Sequence, residues 1–257
     1  MIAIIRSEWL KLRTTAVPWV LTAIAIIFVG LGVLTTFLSK PDNALPGAGF
    51  TVPHTTDQLR NLVGAGFQGY LFAMLLGILC ITTEYRHKTV TTAFLVTPRR
   101  WRFVGAKIVT AALVGIGLAV IVLIATLIGG GITLSARGGV FSSLLGQVPA
   151  VAPGLIVTFA LFAILGVGIG AVLTNQVAAI TVSLGWFIIA ENILVGLVHS
   201  AFRWVPTGAA AAVANLTRGR GNDFGLFNWW EGGLLLLGYG FVFAIVGAFI
   251  MTERDVT

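Results

Sequence analysis

Charge is scarce in this chain. Only 10% of its 257 residues are Asp, Glu, Lys or Arg, against about a quarter in a soluble domain, while 57% are hydrophobic. That balance excludes a water-soluble fold and points to a chain whose solvent is largely lipid. Cysteine is nearly absent too. Cys80 stands alone inside an apolar run, which rules out an internal disulfide and a thiolate metal site. Catalytic motifs are missing: there is no Gly-Lys pair, hence no phosphate-binding loop, no HExxH, no GxSxG and no close pair of carboxylates within an apolar run. The three histidines, His54, His87 and His199, flank the apolar runs rather than gather into a cluster. The chain is therefore expected to carry no catalytic residue, bound cofactor or metal of its own.

What is present is a series of uncharged runs, each long enough to cross about 30 Å of hydrocarbon as a helix rising 1.5 Å per residue. Six occur, at about Val17–Leu38, Leu62–Thr83, Ile108–Thr133, Val151–Leu173, Val177–Val198 and Gly232–Thr252. Only the fifth contains a charge, Glu191. The pattern predicts an all-α membrane protein with six transmembrane helices, organised as one domain over 1–257. The first run follows Arg6, Lys11 and Arg13 like a signal peptide, but it is longer than a 7–15-residue signal core and no small-residue cleavage site follows it, so it is expected to remain. Before it, residues 1–16 place Ile2, Ile5, Trp9 and Leu12 on one stripe with Arg6, Glu8, Lys11 and Arg13 mostly off it. This predicts a helix lying in the membrane interface.

The basic excess, a formal net charge of +7, is not the footprint of a nucleic-acid binder in so apolar a chain. Its distribution follows topology and anionic headgroups, making membrane lipids the expected partner and nucleic acid none. With both termini on the cytoplasmic side, ten of the sixteen Lys and Arg residues lie inside and six outside, the orientation the positive-inside rule requires. Six of the ten, Arg86, Lys88, Arg99, Arg100, Arg102 and Lys107, sit in one loop at 84–107. This is the arrangement of a multi-pass membrane protein.

An anchor needs charge alone, whereas this loop has internal order. After Glu84-Tyr85-Arg86 comes "KTVTTAFLV", residues 88–96, a short helix candidate that would present Val90 and Phe94 to something apolar. Thr97-Pro98 then reads as a helix start, with Thr at the N-cap and Pro where its missing N–H costs nothing. Acidic-Tyr-Arg, a Thr-rich helix, Thr-Pro-Arg-Arg and a Lys entering the third run, together with the opening "SEWLKLR" at 7–13, resemble the permease subunits of type-2 ABC transporters, especially actinobacterial ones. Lys88 departs from that pattern, which has Gly before the Thr.

The resemblance extends over the whole chain and implies the transmembrane subunit of an ATP-driven exporter that works with a separate ATP-binding subunit and a second permease copy, as a homo- or heterodimer. ATP and Mg would bind on the partner subunit. It further implies that 84–107 carries a coupling helix docking on that subunit, through Glu84, Tyr85, Arg86, Thr89, Val90, Phe94, Pro98, Arg99 and Arg100. Apolar walls for the cargo are expected from Phe67, Tyr70, Phe72 and Trp186. Two other classes remain open: a transport-dead sensor or tether, and the scaffold of an intramembrane enzyme.

The outer segment 199–231 contains an apolar stretch of re-entrant length after Pro206. The resemblance implies short outer helices that dip inward and cap the path; a packed surface helix is the alternative. Glu191, a costly charge within a run, is expected to pair with Arg203 or to hold this segment through Asn192 and nearby backbone, beside Trp204 and Pro206. Gly166, Gly168, Gly170 and Ala171 mark a face for close helix packing within the chain.

Overall fold

The computed structural model describes residues 2–38, 56–87, 100–136, 138–216 and 226–253, and among these it is almost wholly helical with no strand. Helix α1 (Ile2–Thr14) meets α2 (Ala16–Leu38) across Thr15. After α3 (Thr56–Val63), a 3-10 segment (Gly64–Gly69) runs into α4 (Tyr70–Arg86). Then come α5 (Arg100–Ser135), the short α6 (Phe141–Leu145) and α7 (Val148–Leu173). The next span is composite: α8 (Gln176–Leu184), a π-helical turn (Gly185–Ala190) and α9 (Glu191–Leu197). A 3-10 turn (His199–Arg203), α10 (Pro206–Val213) and α11 (Trp229–Glu253) complete it. The coupling-helix residues Thr89, Val90, Phe94, Pro98 and Arg99 lie outside the described residues.

Among the described residues, six helical stretches are long and apolar enough to cross a membrane: Ala16–Thr35, Gln58–Arg86, Val104–Ser135, Val148–Leu173, Gln176–Leu197 and Trp229–Gly247. The second takes in α3 and the 3-10 link ahead of α4, so it begins earlier than charge alone suggests, because Arg60 turns to Gln147 across the bundle (3.2 Å). The fourth and fifth are separated by a minimal turn. Thr174 adopts a left-handed φ of 51°, and the Asn175 side chain caps α8 by accepting from the Val177 and Ala178 N–H groups (3.0 and 3.2 Å), satisfying donors that helix starts leave orphaned.

Helix α7 is the hub, packing on α4, α5 and α11. The second and fourth spans are mostly buried and the others ring them. The ring's outer surface is apolar, with Ile27, Ile128, Ile189, Ile193, Phe241 and Ile245 all exposed. In water such a band would be an aggregation surface; in hydrocarbon it is the required finish.

Between lipid-solvated helices there is little hydrophobic drive, so close backbone approach must supply the packing. Glycines allow it reciprocally. A Cβ on Gly77 of α4 would lie 2.0 Å from the Ala163 carbonyl oxygen of α7, and one on Gly166 of α7 would lie 2.1 Å from the Met74 oxygen of α4. Gly170 faces Ile78, and Gly168 faces Phe243 and Ala244 of α11. The small-residue face of the fourth span is thus consumed within the chain. Gly77→Ala is expected to cost about 1–3 kcal/mol through overpacking. Gly117, beside which nothing lies within 4 Å, should tolerate Ala or gain up to about 1 kcal/mol in helix propensity. Thermal unfolding of both variants in one detergent checks the contrast.

Candidate functional site

Most ionisable groups in a lipid-facing chain stay at its edges, yet here a lysine is fully buried. Lys107, two turns into α5, has no exposed surface. Its ammonium donates to Glu8 Oε2 of α1 (2.5 Å), Glu84 Oε1 of α4 (2.9 Å) and the Cys80 carbonyl oxygen of α4 (2.9 Å). All three protons are used. Lys11 closes the ring from the rim, donating to Glu8 Oε1 (2.8 Å) and Glu84 Oε1 (3.1 Å). Glu8 and Glu84 are themselves buried. Two carboxylates and two ammoniums make a neutral cluster, which is how charge becomes tolerable in low dielectric.

Burial pushes the Glu8 carboxyl up, but Lys107 and then Lys11 outweigh it and hold Glu8 below its ordinary value. For Lys11, burial opposes the charged form, and Glu8 and Glu84 overcome it, raising the ammonium. The cluster pins three elements that sequence separates. The N-terminal helix α1 is fastened to the last turn of α4 and the first turns of α5, the two helices that bracket residues 88–99. Nearby, Tyr85 packs against the core, and Arg86 donates to Gln176 Oε1 (3.3 Å). Of the residues expected to meet a partner, Glu84 therefore sits in the cluster, Arg86 is exposed and Arg100 begins α5.

The four wall aromatics part company. Phe67, Tyr70 and Phe72 are buried while Trp186 is half exposed. Tyr70 stacks with Phe67 (5.2 Å) and Phe162 (4.3 Å), and Phe72 meets Phe28 (5.4 Å), so these three rings help to join α2, α4 and α7. A cavity of about 1150 Å³ lies elsewhere, between α7, α10 and α11, with walls that include Pro153, Val157, Ala212, Trp230 and Leu234.

At the opposite end of α4 from the cluster, Glu191 is buried and accepts a hydrogen bond from the Thr207 hydroxyl, which is also 3.3 Å from the Tyr70 hydroxyl. Glu191 Oε1 has no hydrogen-bond partner among the described residues. Arg203 forms no ion pair with Glu191 there. Its guanidinium lies over the rings of Trp204 (5.5 Å) and Phe227 (5.7 Å). Asn192 donates to the Ile188 carbonyl (2.8 Å) in the π-helical turn just before it. Pro206 opens α10 at its first turn. The segment is held through Thr207, a residue with no charge to signal it in the sequence.

A family model described as ABC-2 family transporter protein matches residues 4–214, a stretch that contains Glu8, Glu84, Lys107, Glu191 and Thr207. No curated protein and no solved structure matches the chain.

Two outcomes follow from the cluster. Lys107→Met strands two buried carboxylates and should cost about 3–5 kcal/mol, the usual penalty for removing one partner of a buried pair; thermal unfolding in defined lipid reads it. Because the Glu8 carboxyl is lowered in the folded chain, its stabilisation is present above the ordinary value near 4.5 and is lost as pH falls from there through the lower folded value. Unfolding scans at stepped acid pH should show that loss in the wild type and a flatter profile in Glu8→Gln.

Proposed function

The chain belongs to the ABC-2 transporter family, and on that premise we propose that it is the permease subunit of an ATP-driven exporter whose ATP-binding subunit is a separate chain. The observation that carries the reading is the buried cluster. Residues 88–99 leave α4 just after Glu84 and return into α5 just before Lys107, so both stems of the segment are tied to each other and to α1 by the same ammonium. A push on the segment cannot be absorbed by slippage of its stems. It moves the ends of α1, α4 and α5 together.

The distribution of Lys and Arg favours the cytoplasmic side for that end, where an ATP-binding subunit would dock. There Phe94 is an apolar anchor, and Arg99 and Arg100 are forked donors that Lys does not replace. Two permease copies with two ATP-binding subunits would enclose the path between them. Closure around ATP would tilt α4 and α5 and switch access from one side to the other. The apolar character of the spans suits a hydrophobic or amphipathic cargo. This chain's part is mechanical: it supplies no phosphate loop, and ATP and Mg belong to the partner.

Purified alone, the chain is expected to hydrolyse no ATP; turnover by the isolated permease would contradict the assignment. With the ATP-binding subunit, Phe94→Ala should leave insertion intact and weaken binding by about 2 kcal/mol, roughly thirtyfold, or uncouple hydrolysis from export. Binding and coupling both unchanged would reduce the loop to a positive anchor.

A further inference from the structure

We propose that Thr207 is a latch: its hydroxyl holds helix α10 to α4 and to the fifth span, and it releases when α4 is moved from its other end. The proposal rests on the transporter reading above for what moves α4, but the latch itself is a property of this chain.

Helix α10, with the sequence PTGAAAAV, is buried from Pro206 to Val213 except for Thr207, which is partly exposed. Its side chains are small. Backbone meets backbone around it: a Cβ on Gly154 of α7 would lie 2.0 Å from the Val213 oxygen, and one on Gly232 of α11 would lie 2.7 Å from the Ala209 oxygen. Small side chains give α10 little apolar area with which to grip its neighbours. Among the described residues its side-chain hydrogen bonds are few. Thr158 donates to the Ala210 carbonyl at a long 3.4 Å, and Thr207 joins Tyr70 and Glu191.

A hydroxyl has one proton. Thr207 gives that proton to Glu191 Oε2, which leaves its lone pairs to accept from the Tyr70 hydroxyl. The result is a one-way chain, Tyr70 to Thr207 to Glu191, in which each bond polarises the next. Tyr70 is fixed by its ring stack, and Glu191 by its place at the junction of the π-turn and α9. Thr207 is the point at which α10 attaches to this chain of bonds.

Two features favour release under load. Glu191 is 3% exposed with Oε1 unpartnered among the described residues, a buried carboxylate that gains hydrogen bonds whenever water reaches it. The π-turn of Gly185–Ala190 immediately before it is an irregularity through which a helix can change register. The trigger is the geometry of α4: Tyr70 is its first residue and Glu84 lies in its last turn, about 21 Å away at 1.5 Å per residue. One straight helix therefore ends on the latch and on the Lys107 cluster, so a tilt imposed at one end is delivered to the other.

Hydrogen exchange followed by mass spectrometry, on the full chain in lipid nanodiscs, tests this in two arms. In the chain alone, peptides covering 206–213 should exchange at least tenfold faster in Thr207→Val, which keeps shape but loses the hydroxyl, than in wild type. Thr207→Ser should match wild type, and Tyr70→Phe should fall between. Unchanged exchange across Phe159 and Phe162 serves as the folding control. In the second arm, the wild-type complex with its ATP-binding subunit is trapped with ADP and vanadate, and exchange in 206–213 should rise toward the Thr207→Val level. Equal exchange in Thr207→Val and Thr207→Ser overturns the latch. A segment as protected in the trapped complex as without nucleotide overturns its release. Failure of any ATP-binding subunit to associate counts against the transporter assembly, and the first arm still decides the latch.

Discussion

A lysine ammonium with no access to water constrains everything near it, because each of its three protons needs an acceptor in fixed position and its charge needs compensation at contact distance. Lys107 obtains this from two carboxylates and one carbonyl on two other helices. Removing any member leaves the rest uncompensated in low dielectric, so α1, α4 and α5 have one favourable mutual arrangement at this end. Such a cluster contributes little net stability compared with apolar packing of the same volume; what it supplies is definition of position. The helices it defines are those that lead into and out of residues 88–99.

The remainder of the bundle is built on a complementary principle. Lipid offers no hydrophobic incentive for helices to associate, so the centre relies on glycine faces that let α4, α7 and α11 approach backbone to backbone, with the Phe67, Tyr70, Phe162 and Phe187 rings filling the space beside them. Close glycine crossings resist independent movement of α4 and α7, while the more exposed outer spans have fewer such locks. A polar cluster at one end, a glycine-packed middle and a hydroxyl bridge at the other end make α4 the connector between the two buried polar contacts.

The six spans were legible in the sequence because hydrocarbon thickness and the cost of charge act locally, and both leave a mark in uninterrupted runs. Glu191 was legible for the same reason, as the exception within a run. Its partner was not: Arg203, or Asn192 and nearby backbone, was expected, yet Arg203 lies over Trp204 and Phe227, Asn192 bonds to Ile188, and the bridge comes from Thr207, whose hydroxyl carries no charge signal. Glu8 was read as an off-stripe surface residue of an interfacial helix and is buried, since the lysine that neutralises it stands 99 residues away in sequence and periodicity is blind to such separations. Lys107 read as a basic residue at a span entrance, because the depth at which α5 begins is set by tertiary packing. Phe67, Tyr70 and Phe72 show a further limit: an aromatic in a span can face a path or a neighbouring helix, and composition does not distinguish them. The glycine face of the fourth span, by contrast, was readable as internal packing from spacing alone.

The central claim is that α1 is positioned on the rest of the bundle through the Lys107 ammonium. A double-mutant cycle on Glu8→Gln and Lys107→Met, read as unfolding free energy in one defined lipid, addresses it most directly. Residues in one buried network show interaction energies of about 0.5–3 kcal/mol, so the account predicts that the double variant loses less stability than the two single losses combined. Additive losses, within about 0.5 kcal/mol, would show that Glu8 and Lys107 act independently and would contradict the clamp.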